Sequence, residues 1–129
     1  MTARTFSLGA VLSVTTGRLL CDLDTVSEIL NWLCDDKLFT HQLPRAFKVA
    51  RPYVLAQFPA LAAIDASGVD PTNWREWLAG QITIFGDAFE VRPLERGIWT
   101  YRDPVEEAQE MVGADRVVVV DAAPNVEAP

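Results

Sequence analysis

Histidine and cysteine are scarce in this chain: His41, Cys21 and Cys34 are the whole supply among 129 residues. That is too few soft ligands for a closed structural zinc site, and no metal or other cofactor is expected. The two cysteines can pair only if a loop brings them together, and two reduced thiols are the expectation in a reducing cytosol. Long apolar runs are missing as well. The longest, such as Val117 to Val120, fall far short of the roughly 20 residues needed to cross a bilayer. The opening MTARTFSLGAVLSV is broken by serine and threonine and is followed by no convincing small-residue cleavage site, so a cytosolic protein is expected rather than a secreted one. No Gly-x-x-x-x-Gly-Lys-Ser/Thr loop is present. There is also no internal repeat, low-complexity segment or dividing linker.

What is present suits a folded domain. Half the residues are apolar and 22% are charged, unlike the composition of disordered chains. A chain of this length buries roughly two thirds of its unfolded surface around one core. The charge is polarised: residues 1 to 58 carry net +1 and residues 59 to 129 carry net −8, together the −7 of the whole chain. Such an acidic half repels nucleic-acid phosphate, so direct nucleic-acid binding and membrane association are not expected. It suits a partner with a basic surface, or serves solubility alone.

The periodicities predict an α+β domain over residues 1–121, with about five helices and a small sheet of two or three strands, followed by a flexible tail over 122–129. Ser7 caps a short helix that stops at Thr15-Thr16-Gly17, with Phe6 packing back on Val11. Asp24 is the expected cap of a second helix burying Val26, Ile29, Leu30 and Leu33. Thr40 is the expected cap of a third, running to about Arg51, with Pro44 tolerated in its first turn and Pro52 kinking or restarting it. Asp70-Pro71 opens a fourth, which carries Trp74, Leu78, Ile82 and Phe85 to a stop at Gly86 and is expected to be the central core helix. Phe89 to Arg92 and Ile98 to Tyr101 alternate like short strands. Asp103-Pro104 opens a last helix that Gly113 ends, and Arg116 to Asp121, with four valines, reads as a buried strand.

Two clusters invite a chemical reading. Thr15, Thr16 and Arg18 around Gly17 offer donors to an anion, or form a plain helix stop with Gly17 left-handed. In LFTHQLPRAFK, His41, Arg45 and Lys48 form a basic stripe beside the apolar one of Leu43, Phe47, Ala50 and Val54. His41 has the chemistry of an acid or base, but no nucleophile or orienting carboxylate adjoins it in sequence except Asp35 and Asp36 of the preceding turn. If the two clusters meet in one corner, Thr15, Thr16, Arg18, His41, Arg45 and Lys48 make an anion site for a nucleotide- or nucleic-acid-metabolism protein with possible turnover. Glu106, Glu107 and Glu110 resemble a carboxylate cluster, but their spacing suits the first turns of a helix better than a metal. They are expected on the outer face, opposite Val105, Ala108 and Val112. Trp32, Trp74, Trp77 and Trp99 are read as core residues, not as a base-stacking platform.

FSLGAVLSVTTGRLL, LFTHQLPRAFK with RPYVLAQFP, and DPVEEAQEMVGADRVVVV together resemble a family of small, functionally uncharacterised proteins encoded by tailed phages and prophages. The resemblance brings no catalytic residues. It implies a protein working in the cytoplasm of a bacterial host, where an acidic domain lacking a catalytic constellation is expected to bind a host protein, with anti-CRISPR-like inhibition of a defence system as a subset. The expected partner surface is Asp87, Glu90, Glu95, Glu106, Glu107 and Glu110, and the expected partner is a bacterial protein, such as a nucleic-acid-binding defence component.

Overall fold

The computed structural model describes residues 2–119. The chain forms a strand β1 (Arg4–Phe6), helices α1 (Leu8–Thr16) and α2 (Leu23–Cys34), a 3-10 turn (Thr40–Gln42) leading directly into α3 (Leu43–Gln57), and a second 3-10 turn (Pro59–Ala63). Helix α4 (Trp74–Phe85), strand β2 (Phe89–Val91) and helix α5 (Pro104–Val119) follow. This is an α+β architecture of five helices with a two-stranded antiparallel sheet.

The central helix is α1, and not α4 as the periodicity suggested. Helix α1 has no charged residue, and Leu8 through Thr15 are all buried, as a helix apolar on every side must be. Ser7 caps it, its hydroxyl accepting from the Ala10 amide, and Gly17 closes it in the left-handed conformation (φ 76°). Asp87 adds a second acceptor at the helix start, taking the Leu8 amide at 2.9 Å. A Cβ at Gly9 would run into the Leu20 carbonyl oxygen, so the loop after α1 folds tightly back over the helix. Ser13 fastens this contact, its hydroxyl donating to the Gly9 carbonyl and accepting from the Leu20 amide. Helices α2 and α3 complete the core with Val26, Ile29, Leu30, Leu33, Leu43, Ala46, Ala50 and Val54. No residue of α4 is fully buried; its Trp74, Trp77, Leu78 and Ile82 lean on the core from outside.

Several boundaries differ from the expectation. Asp22, and not Asp24, caps α2, its carboxylate accepting the Thr25 amide at 2.7 Å. Thr40 begins the 3-10 turn and makes no capping hydrogen bond; instead the Gln42 side chain accepts the Phe39 amide. Helix α3 continues through Pro52 to Gln57, because Pro52 lies on its exposed side, where the lost donor costs least. Asp70-Pro71 starts a turn held by the Asp70 carboxylate, and the helix proper begins at Trp74.

Strand β2 pairs with β1, which periodicity did not foresee, in the register Arg4 to Val91, Thr5 to Glu90 and Phe6 to Phe89. Ile98 to Tyr101 is a loop after Gly97 (φ 93°), its groups drawn into separate contacts with Asp36 and Arg45. Residues 116–119 continue α5 and are not a strand, and Gly113 does not end the helix. Val120, Asp121 and the expected tail over 122–129 lie outside the described residues. No helix of the described residues is long and apolar enough to cross a membrane.

Candidate functional site: a buried ion pair under an exposed aromatic edge

The start of α3 and the start of α5 are joined by a polar clamp. Asp103 caps α5, its carboxylate accepting the Val105 and Glu106 amides, and this turn directs Glu107 inward. Glu107 is 4% exposed. Its carboxylate takes both ends of the Arg45 guanidinium, at 2.8 Å from Nε and 2.9 Å from Nη2, and a third hydrogen bond from Gln42 Nε2 at 3.0 Å. These donors, Arg45 foremost and Gln42 after it, hold the carboxyl down to about 2 against the desolvation that would raise it. Gln42 is itself fully buried.

Arg45 is also stacked on the Trp99 indole, its guanidinium carbon 3.9 Å from the ring centroid, and Nη1 donates to the Thr100 carbonyl. Trp99 Nε1 donates to Asp36 at 2.9 Å, tying the 93–101 segment to the end of α2. His41 Nε2 lies 2.9 Å from the Pro104 carbonyl, which only accepts, so the proton sits on Nε2. His41 is therefore a tether between two helix starts. Among the described residues no hydroxyl, thiol or carboxylate is hydrogen-bonded to it.

Around this clamp the surface is aromatic and apolar. Tyr101 is 66% exposed, Val105 64% and Phe39 55%. The outer face expected for α5 keeps Glu106 and Glu110 but not Glu107, and Val105, expected on the inner side, is exposed. Val105 and Met111 face solvent and Glu107 faces the body, because the Arg45 and Gln42 donors offer its carboxylate more than α3 offers a valine.

Of the carboxylates expected to meet a partner, Glu107 is removed by this pairing, and Asp87 is engaged at the start of α1. Glu90, Glu95 and Glu106 remain exposed, and Glu110, also exposed, pairs with Arg102. The two basic motifs do not share a corner. Thr15, Thr16 and Arg18 line a cavity with Leu55, Leu61 and Ser67, and Arg18 donates to the Val69 carbonyl. Leu55 lies ten residues beyond Arg45, about 15 Å along α3. Both threonine hydroxyls donate to the Leu12 carbonyl, and Gly17, left-handed with its amide on the Ser13 carbonyl, makes this turn a helix stop. Lys48 is exposed and outside the clamp.

Sequence reasoning missed Gln42, Trp99 and the pairing of Arg45 with Glu107. These partners lie 54 to 65 residues apart, and no periodicity links them. Among the described residues no group of three or more His, Cys, Asp or Glu is placed to hold a metal ion. Both cysteines are free thiols.

Over residues 6–64 the chain matches the model of a domain of unknown function, DUF7736. The match takes in His41, Gln42 and Arg45 but stops short of Trp99 and Glu107. No curated protein and no solved structure matches the chain.

Proposed function

We propose that the chain is a phage- or prophage-encoded host-interaction protein that works by stoichiometric binding of a bacterial protein in the host cytoplasm. Inhibition of a defence system, in the manner of anti-CRISPR proteins, is the role we assign to it. The observation that carries this reading is the exposure of Phe39, Tyr101 and Val105 beside the clamp of Arg45, Glu107 and Trp99, with the neighbouring Thr100 and Pro104 carbonyls hydrogen-bonded to Arg45 and His41. Exposed aromatic and apolar side chains rimmed by polar groups are what protein interfaces use as anchors. Glu95, Glu106 and Glu110 supply acidic charge from the same half of the chain and favour a basic counterpart.

The test is capture from a bacterial lysate by the purified chain, at about 0.05 M and about 0.5 M salt, with the Glu106→Gln/Glu110→Gln variant alongside. Steering acts over a Debye length of roughly 10 Å at about 0.1 M, so the wild type is expected to retain one host protein at a fixed ratio and more slowly at high salt. The variant is expected to retain it more slowly at low salt, and His41→Ala to retain it fully. Absence of any stoichiometric partner overturns the reading, as does capture indifferent to both salt and the glutamine changes.

A further inference from the structure

A groove of about 610 Å³ opens next to the clamp, between the end of α2 and the 93–101 segment. Trp32, Trp99 and the exposed Tyr101 line it, together with three carboxylates, Asp35, Asp36 and Glu95, against one cation, Arg96. Three negative charges less one positive leave its lining at −2. The indoles are fixed: Trp32 Nε1 donates to the Val91 carbonyl at 2.8 Å, and Trp99 Nε1 to Asp36. Arg45 lies over one face of Trp99 and is not among the residues lining the groove. The remaining lining includes Cys34, whose thiol burial pushes up to about 12, with Asp36 adding to the shift, so it carries no charge at neutral pH. Asp36 is engaged with Trp99 and the Lys37 amide, whereas among the described residues the carboxylates of Asp35 and Glu95 make no hydrogen bond.

We propose that this groove docks an arginine-bearing extended segment of the partner protein. The inference rests on the protein-binding reading above and names the chemistry that reading left open. The volume falls within the range of pockets that enclose ligand groups, and its width of function is set by its walls: flat indoles that accept a guanidinium face and two carboxylates without partners that accept its N–H edge. Nucleic acid is repelled by the same carboxylates, and a neutral apolar segment would leave them desolvated and unpaired.

The experiment titrates the full chain with a nine-residue peptide carrying three arginines, with its citrulline counterpart, and with spermidine, following tryptophan emission. The arginine peptide is expected to change the emission saturably, and the citrulline peptide and spermidine are not. Asp35→Asn/Glu95→Gln is expected to weaken the peptide about tenfold or more. This variant keeps the fold, because asparagine suits the left-handed conformation of residue 35 (φ 50°) and Glu95 is exposed. Glu76→Gln, a change of one exposed charge on α4, is expected to bind the peptide as the wild type does. Equal affinity for the citrulline peptide, spermidine binding as tight as the arginine peptide, or an unchanged Asp35→Asn/Glu95→Gln variant each overturns the proposal. The two readings fail separately. A host complex that persists without any peptide binding removes the groove alone, and peptide binding without any host complex removes the protein-binding role and leaves the groove as a site.

Discussion

Glu107 reaches the interior as an anion only because Arg45 and Gln42 are there to receive it, and the two halves of the pair are not equally replaceable. Arg45→Ala strands a carboxylate in a buried position with one amide donor, whereas Glu107→Gln leaves a guanidinium that still has the Thr100 carbonyl, the Trp99 face and some solvent. Fully buried pairs lose about 3 to 5 kcal/mol when one partner is removed. Arg45→Ala is therefore expected to cost about 2 to 3 kcal/mol in urea denaturation, and Glu107→Gln about 1 kcal/mol less. The pH dependence follows from the same contacts. The folded carboxyl titrates at about 2, below the ordinary 4.5. Its contribution is fully present above pH 4.5 and is lost as the pH falls from there through about 2. Wild-type stability is expected to decline more steeply over that window than that of Glu107→Gln, measured by urea midpoints from pH 2 to 6. Gly9 makes a second test at this scale. Gly9→Ala drives a methyl into the Leu20 carbonyl and is expected to destabilise by about 1 to 3 kcal/mol, although alanine is the better helix former.

At the scale of elements, the sequence patterns marked helices well and their neighbours poorly. Val26, Ile29, Leu30 and Leu33 declared the buried stripe of α2, and Gly17 and Gly86 declared two helix ends, because these are effects of residues a few positions apart. The rank of α1 and α4 was inverted for a different reason. Helix α4 has the larger side chains, but α1 has no charge to keep any face in water, and that feature decides which helix the others surround. Strand β1 escaped notice because three residues alternate too briefly to register, and its pairing with β2 spans most of the chain. The valines at 117–119 illustrate the ambiguity of short apolar runs, which continue a helix as readily as they form a strand. Pro52 offers a measurable consequence. Helix α3 passes through it on the solvent side, so Pro52→Ala restores a donor without disturbing packing and is expected to raise stability by about 1 kcal/mol, read as a higher urea midpoint with an unchanged slope.

Over the whole molecule the candidate site lies where late and early parts of the chain meet, which is why it was legible only in pieces. His41 and Arg45 stood out as a basic pair, and Glu106, Glu107 and Glu110 as an acidic group, yet nothing local showed that one member of each would cancel the other. The same long-range closure governs the small sheet. Strand β1 finds its only strand partner among the described residues at 89–91, and the first amide of α1 finds its carboxylate at Asp87. During synthesis, then, β1 leaves the ribosome more than eighty residues ahead of the strand that closes its edge. Until β2 emerges, β1 is an open strand for a chaperone, or another nascent chain, to occupy.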